Sequence, residues 1–190
     1  ESGIPDFRSK DGLYNQKYKY DPEYMLSIDA FDKMPTEFWR FYRDKLLIEG
    51  VEPNFAHKAL AKLEKEGKLK AIVTQNIDDL HEKAGSKNVY HIHGTITTNH
   101  CTTYNCKKEF SLEEIKNMGS VPVCDECGEK IKPDVVLYGE GLPQDAWDRS
   151  LAAITKADTL IVAGTSLSVY PAAMLVDYFQ GDNLVIINRD

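Results

Sequence analysis

The chain has 190 residues, 42% of them hydrophobic, and a formal net charge of −7 at pH 7. A chain of this size buries one full core, or one core with a small second module, and its apolar runs are far shorter than the roughly 20 residues of a membrane-spanning helix. Because these runs are so short, no membrane-spanning segment is expected. The negative charge repels polyanions and favours basic peptides, so direct nucleic-acid binding is not expected either.

Two amphipathic helices are predicted in the first third of the chain. Over residues 35–48, four large apolar side chains recur at helical spacing behind Pro35, a residue suited to a first helical turn. Over residues 54–66, alanines and leucines form a second stripe, and Gly67 offers the left-handed conformation that ends a helix. Ordinary packing explains both patterns.

Beyond Gly67, short apolar runs alternate with helix-length segments, which is typical of a parallel sheet. The predicted strands are KAIVTQN, NVYHIHG, DVVLYG, TLIVAGTS and NLVIIN. Helices are predicted between the later runs, over residues 143–157 and 171–179. The expected fold is therefore α/β with a doubly wound parallel sheet, an architecture that binds ligands at the C-terminal ends of its strands.

All four cysteines lie in a polar segment, residues 95–133, that interrupts this alternation. Four residues separate Cys101 from Cys106, and two separate Cys124 from Cys127. Two such pairs bring four thiolates into the tetrahedron that zinc prefers, and four protein ligands leave no open position for substrate, so a structural zinc is predicted. Unligated thiols or a redox pair remain the alternatives. The clustering also favours a reducing compartment, the cytoplasm, over a secreted disulfide scaffold.

Polar clusters follow the predicted strands at their ends, where ligand-binding loops belong. They are SGIPDFRS at residues 2–9, TQNID at 74–78, HG at 93–94 and GTS at 164–166. Each cluster alone has a plain structural explanation. Asn76 and Asp78 can cap the following helix, Gly164 can form a turn, and a lone histidine at a strand end is more often structural than catalytic.

These clusters, with the paired cysteines and the runs VVLYGE and GTSLSVYP, stand in the order and approximate spacing of the sirtuin family. The chain resembles the catalytic core of bacterial-type sirtuins over nearly its whole length. The resemblance implies a Rossmann-like domain from residues 1–94 and 134–190, with a helical insertion at about 10–60, and a zinc-ribbon module at 95–133. It also implies a protein lysine deacetylase that consumes NAD, releases nicotinamide and transfers the acetyl group of a lysine in a partner protein to ADP-ribose.

His93 matches the catalytic histidine of the family, and Asn76 and Asp78 complete the catalytic set that the resemblance implies. An imidazole with an ordinary pKa of about 6.5 is suited to take the proton of a ribose hydroxyl near neutral pH. Strand periodicity alone does not separate His93 from His91, because both would point to the same face. Only His93 is followed by glycine, as in the family motif.

The resemblance assigns the NAD pocket to three segments of the chain, to His93 and to the end of the last strand. The matching residues are Ile4, Phe7, Arg8, Gln75, Asn76, Ile77, Asp78, His93, Gly164, Thr165, Ser166 and Asn188. Their chemistry suits this ligand. A carboxylate at Asp78 accepts a hydrogen bond from the nicotinamide amide, Phe7 shields the reactive sugar from water, and backbone N–H groups at 164–166 suit phosphate.

The acyl-lysine peptide is expected to pair as a strand between two segments of the chain, in a mode that relies on backbone hydrogen bonds and so admits many target proteins. The matching residues are Val136, Tyr138, Gly139, Glu140, Ser168 and Val169. Val136 and Tyr138 are expected to line the acyl-lysine tunnel, and Tyr138 stands where the family usually has Phe.

The chain departs from the family at its ends and in the tunnel. The family's Gly-Ala-Gly stretch does not precede the first motif here, and we expect both ends to be trimmed. Succinyl-removing members carry a Tyr and, three residues later, an Arg; the matching residues are Tyr42 and Lys45. Lysine lacks the bidentate geometry of arginine, so acetyl is favoured over succinyl. Desuccinylation, mono-ADP-ribosyl transfer and a non-catalytic NAD-sensing module remain the alternatives, and the sequence does not predict the oligomeric state.

Overall fold

The computed structural model describes residues 2–5, 12 and 19–188. Its α-helices are α1 (Pro22–Met25), α2 (Ile28–Lys33), α3 (Pro35–Lys45), α4 (Phe55–Lys65), α5 (Leu80–Lys83), α6 (Leu112–Asn117) and α7 (Gln144–Lys156), and a 3-10 helix spans Ala172–Tyr178. Its β-strands are β1 (Ile72–Thr74), β2 (Val89–His91), β3 (Gly94–Cys101), β4 (Glu109–Ser111), β5 (Ile131–Val135), β6 (Thr159–Ala163) and β7 (Asn183–Ile187). None of the helices in this part of the chain is long and apolar enough to cross a membrane.

Each of the four helices predicted from the sequence is present. The segments at 35–48, 54–66 and 143–157 form α3, α4 and α7, each slightly shorter than predicted, and the segment at 171–179 forms the 3-10 helix. Helices α1, α2, α5 and α6 have only four to six residues and no counterpart in the prediction. Such short segments contain too few turns to show a periodic pattern.

Side-chain capping explains where α4 begins. The Asn54 Oδ1 atom accepts hydrogen bonds from the N–H groups of Ala56 and His57, and His57 Nδ1 accepts one from the Asn54 N–H. This reciprocal arrangement is a capping box, which satisfies backbone donors that a helix start leaves unpaired. The local sequence therefore determines the N-terminal end of α4.

Two parallel strand pairs carry the α/β part of the fold. Strand β1 pairs with β2, and β6 pairs with β7, each in parallel register. Helix α5 links the first pair and the 3-10 helix links the second, so both pairs are the strand–helix–strand units expected of an α/β protein. Within the described residues the two pairs are not hydrogen-bonded to each other as strands. Their C-terminal ends meet through a hydrogen bond of 3.3 Å from Gln75 Nε2 to Thr165 Oγ1.

The run DVVLYG is not a strand of the parallel sheet, and this part of the prediction is wrong. Strand β5 starts earlier, ends at Val135 and pairs antiparallel with β3, with Gly94 opposite Val135, in a sheet of order β4-β3-β5. An apolar run indicates that a segment is buried but not which neighbour buries it. Strand β5 crosses the predicted domain boundary at 133/134 and leads from the cysteine-bearing segment into the loop at 136–140.

The larger hydrophobic core joins helices α1–α3 to the cysteine-bearing sheet. It includes Phe31, Phe38, Trp39 and Tyr42 beside Cys101, Phe110, Ile115, Cys124 and Ile131. The Arg43 guanidinium reinforces this packing, because it donates hydrogen bonds of 3.0 and 2.8 Å to the carbonyls of Ile115 and Gly119 at the end of α6. The helices of the predicted insertion therefore pack on the predicted zinc module.

A second, smaller core supports the parallel strands. It contains Ile92, Ile154, Ala172 and Leu175 and so joins the turn after β2 to α7 and the 3-10 helix. Because Ile92 immediately precedes His93, this core anchors one side of the predicted catalytic residue.

Candidate active site and metal centre

His93 lies in the turn between β2 and β3, half-buried, where the structure brings three chain segments together. Its Nδ1 atom is 3.0 Å from the Gln75 carbonyl oxygen, and its own carbonyl accepts a hydrogen bond of 2.9 Å from the Val136 N–H. A carbonyl oxygen can only accept, so the Nδ1 atom carries the proton. In the neutral ring the basic nitrogen is then Nε2.

His91 is engaged differently, although periodicity alone could not separate it from His93. Its Nε2 atom is 2.7 Å from Glu82 Oε1, and its Nδ1 atom is 3.2 Å from the Asn76 carbonyl oxygen. Strand β2 ends at His91, and the chain then turns. Both ring nitrogens of His91 therefore have protein partners, as expected of a residue that stabilises the loop after β1.

Gly94 explains physically why a glycine follows His93. An added Cβ atom would lie 1.8 Å from the carbonyl oxygen of Asp134 on β5 and 2.9 Å from its carbonyl carbon. The φ angle of Gly94 is +74°, in the left-handed region that side chains disfavour. Close approach of β5 thus requires glycine at this position, directly beside the predicted base.

We expect Gly94→Ala to destabilise the protein by about 3 kcal/mol or more, because backbone strain adds to a clash with a main-chain atom that cannot rotate away. Urea unfolding measures this change. Gly119→Ala is the control, since an added Cβ there meets no atom within 4 Å. A change within about 0.5 kcal/mol for Gly94→Ala, the usual range of surface substitutions, would contradict this packing.

The TQNID segment turns sharply after β1. The Asn76 N–H donates to Thr74 Oγ1 at 3.0 Å, the Leu80 N–H donates to Asp78 Oδ1 at 3.0 Å, and the Ile96 N–H donates to the Ile77 carbonyl at 2.9 Å. Asp78 thus accepts a bond from the first residue of α5, but the N-cap residue of this helix is Asp79, whose side chain makes no capping bond. The same turn presents the Gln75 carbonyl to His93.

The GTS segment after β6 forms a second compact loop near the first. The Gly164 N–H donates to the Ile187 carbonyl at 3.0 Å, and Asn188 Nδ2 donates to the Thr165 carbonyl at 3.2 Å. Ser166 and Ser168 exchange a hydrogen bond of 2.7 Å between their hydroxyls. With the Gln75–Thr165 contact and the bond of His93 to the Gln75 carbonyl, the structure gathers four parts of the predicted NAD pocket: residues 75–78, His93, 164–166 and Asn188.

The remaining predicted NAD-binding residues lie near the start of the chain. Ile4 is half-buried. Phe7 and Arg8 lie outside the described residues, so their assignment stays a prediction.

The predicted peptide-binding residues fall on two loops. In the first, the Tyr138 N–H donates to the Leu26 carbonyl at 2.9 Å, and the Ile28 N–H donates to the Tyr138 carbonyl at 3.0 Å. Gly139 follows, and Val136 is bonded to His93. In the second loop, the Val169 carbonyl accepts from Ala173 at the start of the 3-10 helix, and Ser168 contacts Ser166. Both loops adjoin residues predicted to bind NAD.

Tyr42 and Lys45, which match the Tyr and Arg of the succinyl-removing family members, have different environments. Tyr42 is fully buried, with its ring stacked on Phe38 at a centroid distance of 5.8 Å, and burial raises the pKa of its hydroxyl. Lys45 forms an ion pair of 2.8 Å with Asp44 and lines a cavity of about 210 Å³ to which Arg40 also contributes. Tyr42 is not among the residues that line this cavity.

The four cysteines form one cluster, as predicted. Their sulfur atoms all lie within 4.8 Å of one another, at 3.3 Å for Cys101 and Cys127 and at 3.6 Å for Cys106 and Cys124, and none is in a disulfide. Four sulfur donors at such distances fit the tetrahedral shell of zinc and complete it. The donor set therefore suits a structural metal, which would join β3 to the loop before β5.

Two buried charged or titratable contacts have no counterpart in the sequence prediction. Lys132 on β5 is only 9% exposed and pairs with Glu140. His81 packs its ring 4.7 Å from that of His57, and burial, followed by the charge of His57, lowers the pKa of His81. No sequence signal pointed to either contact, because Lys132 lies in the short strand IKPDV, which also carries Asp134 and has no apolar run.

Comparison with known proteins gives a consistent assignment. The Sir2 family profile matches residues 1–171 of this chain. The NAD-dependent protein deacetylase of Clostridium acetobutylicum is 55% identical over 192 aligned positions, which cover all of this chain and 78% of that protein. The NAD-dependent protein deacylase 1 of Archaeoglobus fulgidus is 44% identical, over all of this chain and 77% of its own length.

Solved structures agree with this assignment. A Sir2 homolog–NAD complex has a TM-score of 0.87 at 44% identity, and the match covers all of this chain and 73% of the chain in that structure. A structure of Sir2 bound to acetylated peptide has a TM-score of 0.87 at 40% identity, and the match covers all of this chain and 76% of the chain in that structure. The α/β part of the fold is thus Rossmann-like, as the sequence predicts. The family profile, the sequence identity over the whole of this chain and the structural match all show that the chain belongs to the Sir2, or sirtuin, family.

Proposed function

We propose that this chain is the catalytic core of an NAD-dependent protein lysine deacetylase with His93 as its general base. The observation that carries the proposal is the position of His93: its ring is hydrogen-bonded to the loop after β1, and its backbone carbonyl accepts a bond from the loop after β5. The first loop is predicted to bind NAD and the second to bind the acyl-lysine peptide. The imidazole therefore stands between the two substrates.

The hydrogen bond to the Gln75 carbonyl defines what His93 can do. The acyl oxygen first attacks the anomeric carbon of the nicotinamide ribose, and the bond from that carbon to nicotinamide breaks. With the proton on Nδ1, the His93 Nε2 atom then takes the proton of a ribose hydroxyl, which attacks the acyl carbon. The bond from this carbon to the lysine nitrogen breaks, the lysine leaves as a free amine, and addition of water to the acyl carbon leaves the acetyl group on ADP-ribose. Gln75 acts through its backbone as the group that sets the tautomer.

Three loops and the end of the last strand supply the remaining binding groups. Asn76, Ile77 and Asp78 hold the nicotinamide and ribose end. Ile4 and Phe7 shape and cover it, and Arg8 faces ribose or phosphate. Gly164, Thr165 and Ser166 bind phosphate or ribose, and Asn188 binds the adenosine ribose. This grouping is supported by the contacts of Thr165 with both Gln75 and Asn188, which bring the two ends of the ligand site together.

Acetylated lysines in partner proteins are the proposed substrates. The peptide pairs between 139–140 and 168–169, its acyl-lysine passes Val136 and Tyr138, and the net charge of −7 favours basic target segments. Four free, clustered thiols also favour a reducing compartment. We therefore place the protein in the cytoplasm.

Incubation of the protein with NAD and an acetyl-lysine peptide tests the reaction. We expect deacetylated peptide, nicotinamide and O-acetyl-ADP-ribose in equal amounts. Stable labelling of a target protein from NAD would instead identify mono-ADP-ribosyl transfer, and NAD binding without nicotinamide release would identify a non-catalytic sensor.

The same assay on acylated peptides tests the acyl preference. We expect kcat/KM for acetyl-lysine to exceed that for succinyl-lysine by at least about tenfold, or about 1.4 kcal/mol. The reason is that Lys45 is already paired with Asp44 and lacks the fork of an arginine, so a buried succinyl carboxylate would be poorly compensated. A preference for succinyl-lysine would refute this choice without affecting the proposed reaction.

A further inference from the structure

A partly buried ion pair joins β5 to the loop that is predicted to bind the peptide. The Lys132 Nζ atom donates hydrogen bonds of 3.0 Å to the carbonyls of Pro133 and Val135 and lies 2.9 Å from Glu140 Oε2. The side chains of Lys132 and Glu140 are only 11% and 25% exposed. Lysine is rarely buried to this degree unless its charge is paired.

Glu140 connects this lysine to the main chain of the loop. The same Oε2 atom accepts a hydrogen bond of 2.8 Å from the Leu137 N–H, and the Glu140 N–H donates one of 3.0 Å to the Leu137 carbonyl. These bonds close a turn over residues 137–140. The ion pair with Lys132 links this turn to β5, so the position of the turn does not depend on its own hydrogen bonds alone.

The turn lies between His93 and the proposed peptide site. On one side the Val136 N–H is bonded to the His93 carbonyl, and on the other Tyr138 is bonded to the segment between α1 and α2. Residues 139–140 are the part proposed to pair with the peptide. Any movement of the turn would therefore displace the peptide edge.

Asp134, a second carboxylate near Lys132, already has its own partners. Asp134 accepts hydrogen bonds from His100 and Thr98. Burial acts in the opposite direction, but these bonds hold the pKa of the Asp134 carboxyl below its ordinary value, and the charge of Lys132 adds to the effect. Glu140 is thus the carboxylate in direct contact with the Lys132 ammonium group.

We propose that Lys132 and Glu140 form a positioning pair that holds the 137–140 turn in the shape to which the acyl-lysine peptide binds. The inference rests on the proposed function. Neither side chain is assigned contact with the reacting atoms. The glutamate, which sequence matching places among the peptide contacts, acts here through its carboxylate on the loop.

Replacement of each partner tests the pair. Glu140→Gln keeps an acceptor for the Leu137 N–H but removes the charge, and Lys132→Met removes the cation at similar length. We expect either change to raise KM for the acetylated peptide by about tenfold, with kcat and KM for NAD changed less than about twofold, because breaking a buried pair leaves one charge uncompensated. Lys132→Arg retains the charge and should bind peptide nearly as well as the wild type.

A double variant distinguishes the pair from direct peptide contact by Glu140. If the two residues act as a unit, Lys132→Met with Glu140→Gln should weaken peptide binding no more than the worse single change. A tenfold effect of Glu140→Gln with no effect of Lys132→Met would refute the proposal. Equal increases in KM for peptide and NAD would also refute it, since they would indicate general disruption.

Two further measurements keep the outcome clear. Lys116→Gln breaks the exposed ion pair of Lys116 with Glu49, at 2.7 Å, and should leave peptide KM unchanged. Peptide Kd is also measured directly by fluorescence anisotropy with a labelled acetyl-lysine peptide. If the wild type bound this peptide without deacetylating it, the proposed reaction would fail, while the Kd values of the variants would still test the pair.

Discussion

A His93→Ala variant is expected to deacetylate peptides about 10³-fold more slowly than the wild type, within the range of general acid–base catalysis. The substitution removes the Nε2 atom that we propose takes the ribose proton, whereas the Gln75 carbonyl bonded to the ring belongs to the backbone and remains. Peptide and NAD binding should change far less than kcat. Parallel assays of nicotinamide release and peptide mass measure the loss.

His91→Ala is the matched control for this experiment. It removes an imidazole two residues away whose nitrogens contact Glu82 and the Asn76 carbonyl, so we expect a loss below about tenfold in kcat. Equal losses in the two variants would show that the segment tolerates no substitution and would contradict a special role for His93. Turnover of His93→Ala at the wild-type rate would exclude it as the base.

Loss of the metal is expected to have the largest effect on stability. Cys101→Ser or Cys124→Ser should abolish stoichiometric zinc binding and unfold the zinc module, since zinc binding supplies on the order of 10 kcal/mol to the folding of such modules. Both cysteines are 2% exposed and belong to the core that also contains Phe31 and Phe38. The damage should therefore spread into helices α2 and α3.

Metal content and thermal unfolding of the purified variants measure this effect, and a strong chelator should reproduce it in the wild type. Tyr104→Ala is the control, because this ring lies between the first two cysteines in sequence and is 82% exposed. It should retain one zinc per chain. Wild-type stability in metal-free Cys124→Ser would contradict a structural role for the zinc.

Local patterns were sufficient for the larger helices and for the metal site. The start of the second helix at residue 54, the position of Pro35 and the spacing of the cysteine pairs each depend on residues close together in the chain, so each was predictable without knowledge of tertiary contacts. The sirtuin motifs identified the family for the same reason. Each is a short segment whose residue types are required by one loop and its ligand.

Partners that are distant in sequence were not predictable in this way. The strand ending at Val135 pairs with β3 and not with the parallel strands. The apolar side chains of β7 remain 42–65% exposed. An apolar run has the same appearance whichever surface covers it, so only the folded chain shows whether and where it is buried.

The sequence by itself determined the class of fold, the cysteines that cluster, and His93 as the residue that matches the family's base. Only the tertiary structure decided how His93 is held: by a carbonyl after β1, by a backbone bond from the loop after β5, and beside a glycine that the approach of Asp134 requires. It also revealed that Lys132 meets Glu140. The physical reason is that hydrogen bonds and ion pairs depend on distances between atoms, and folding sets those distances among residues that are far apart in the chain.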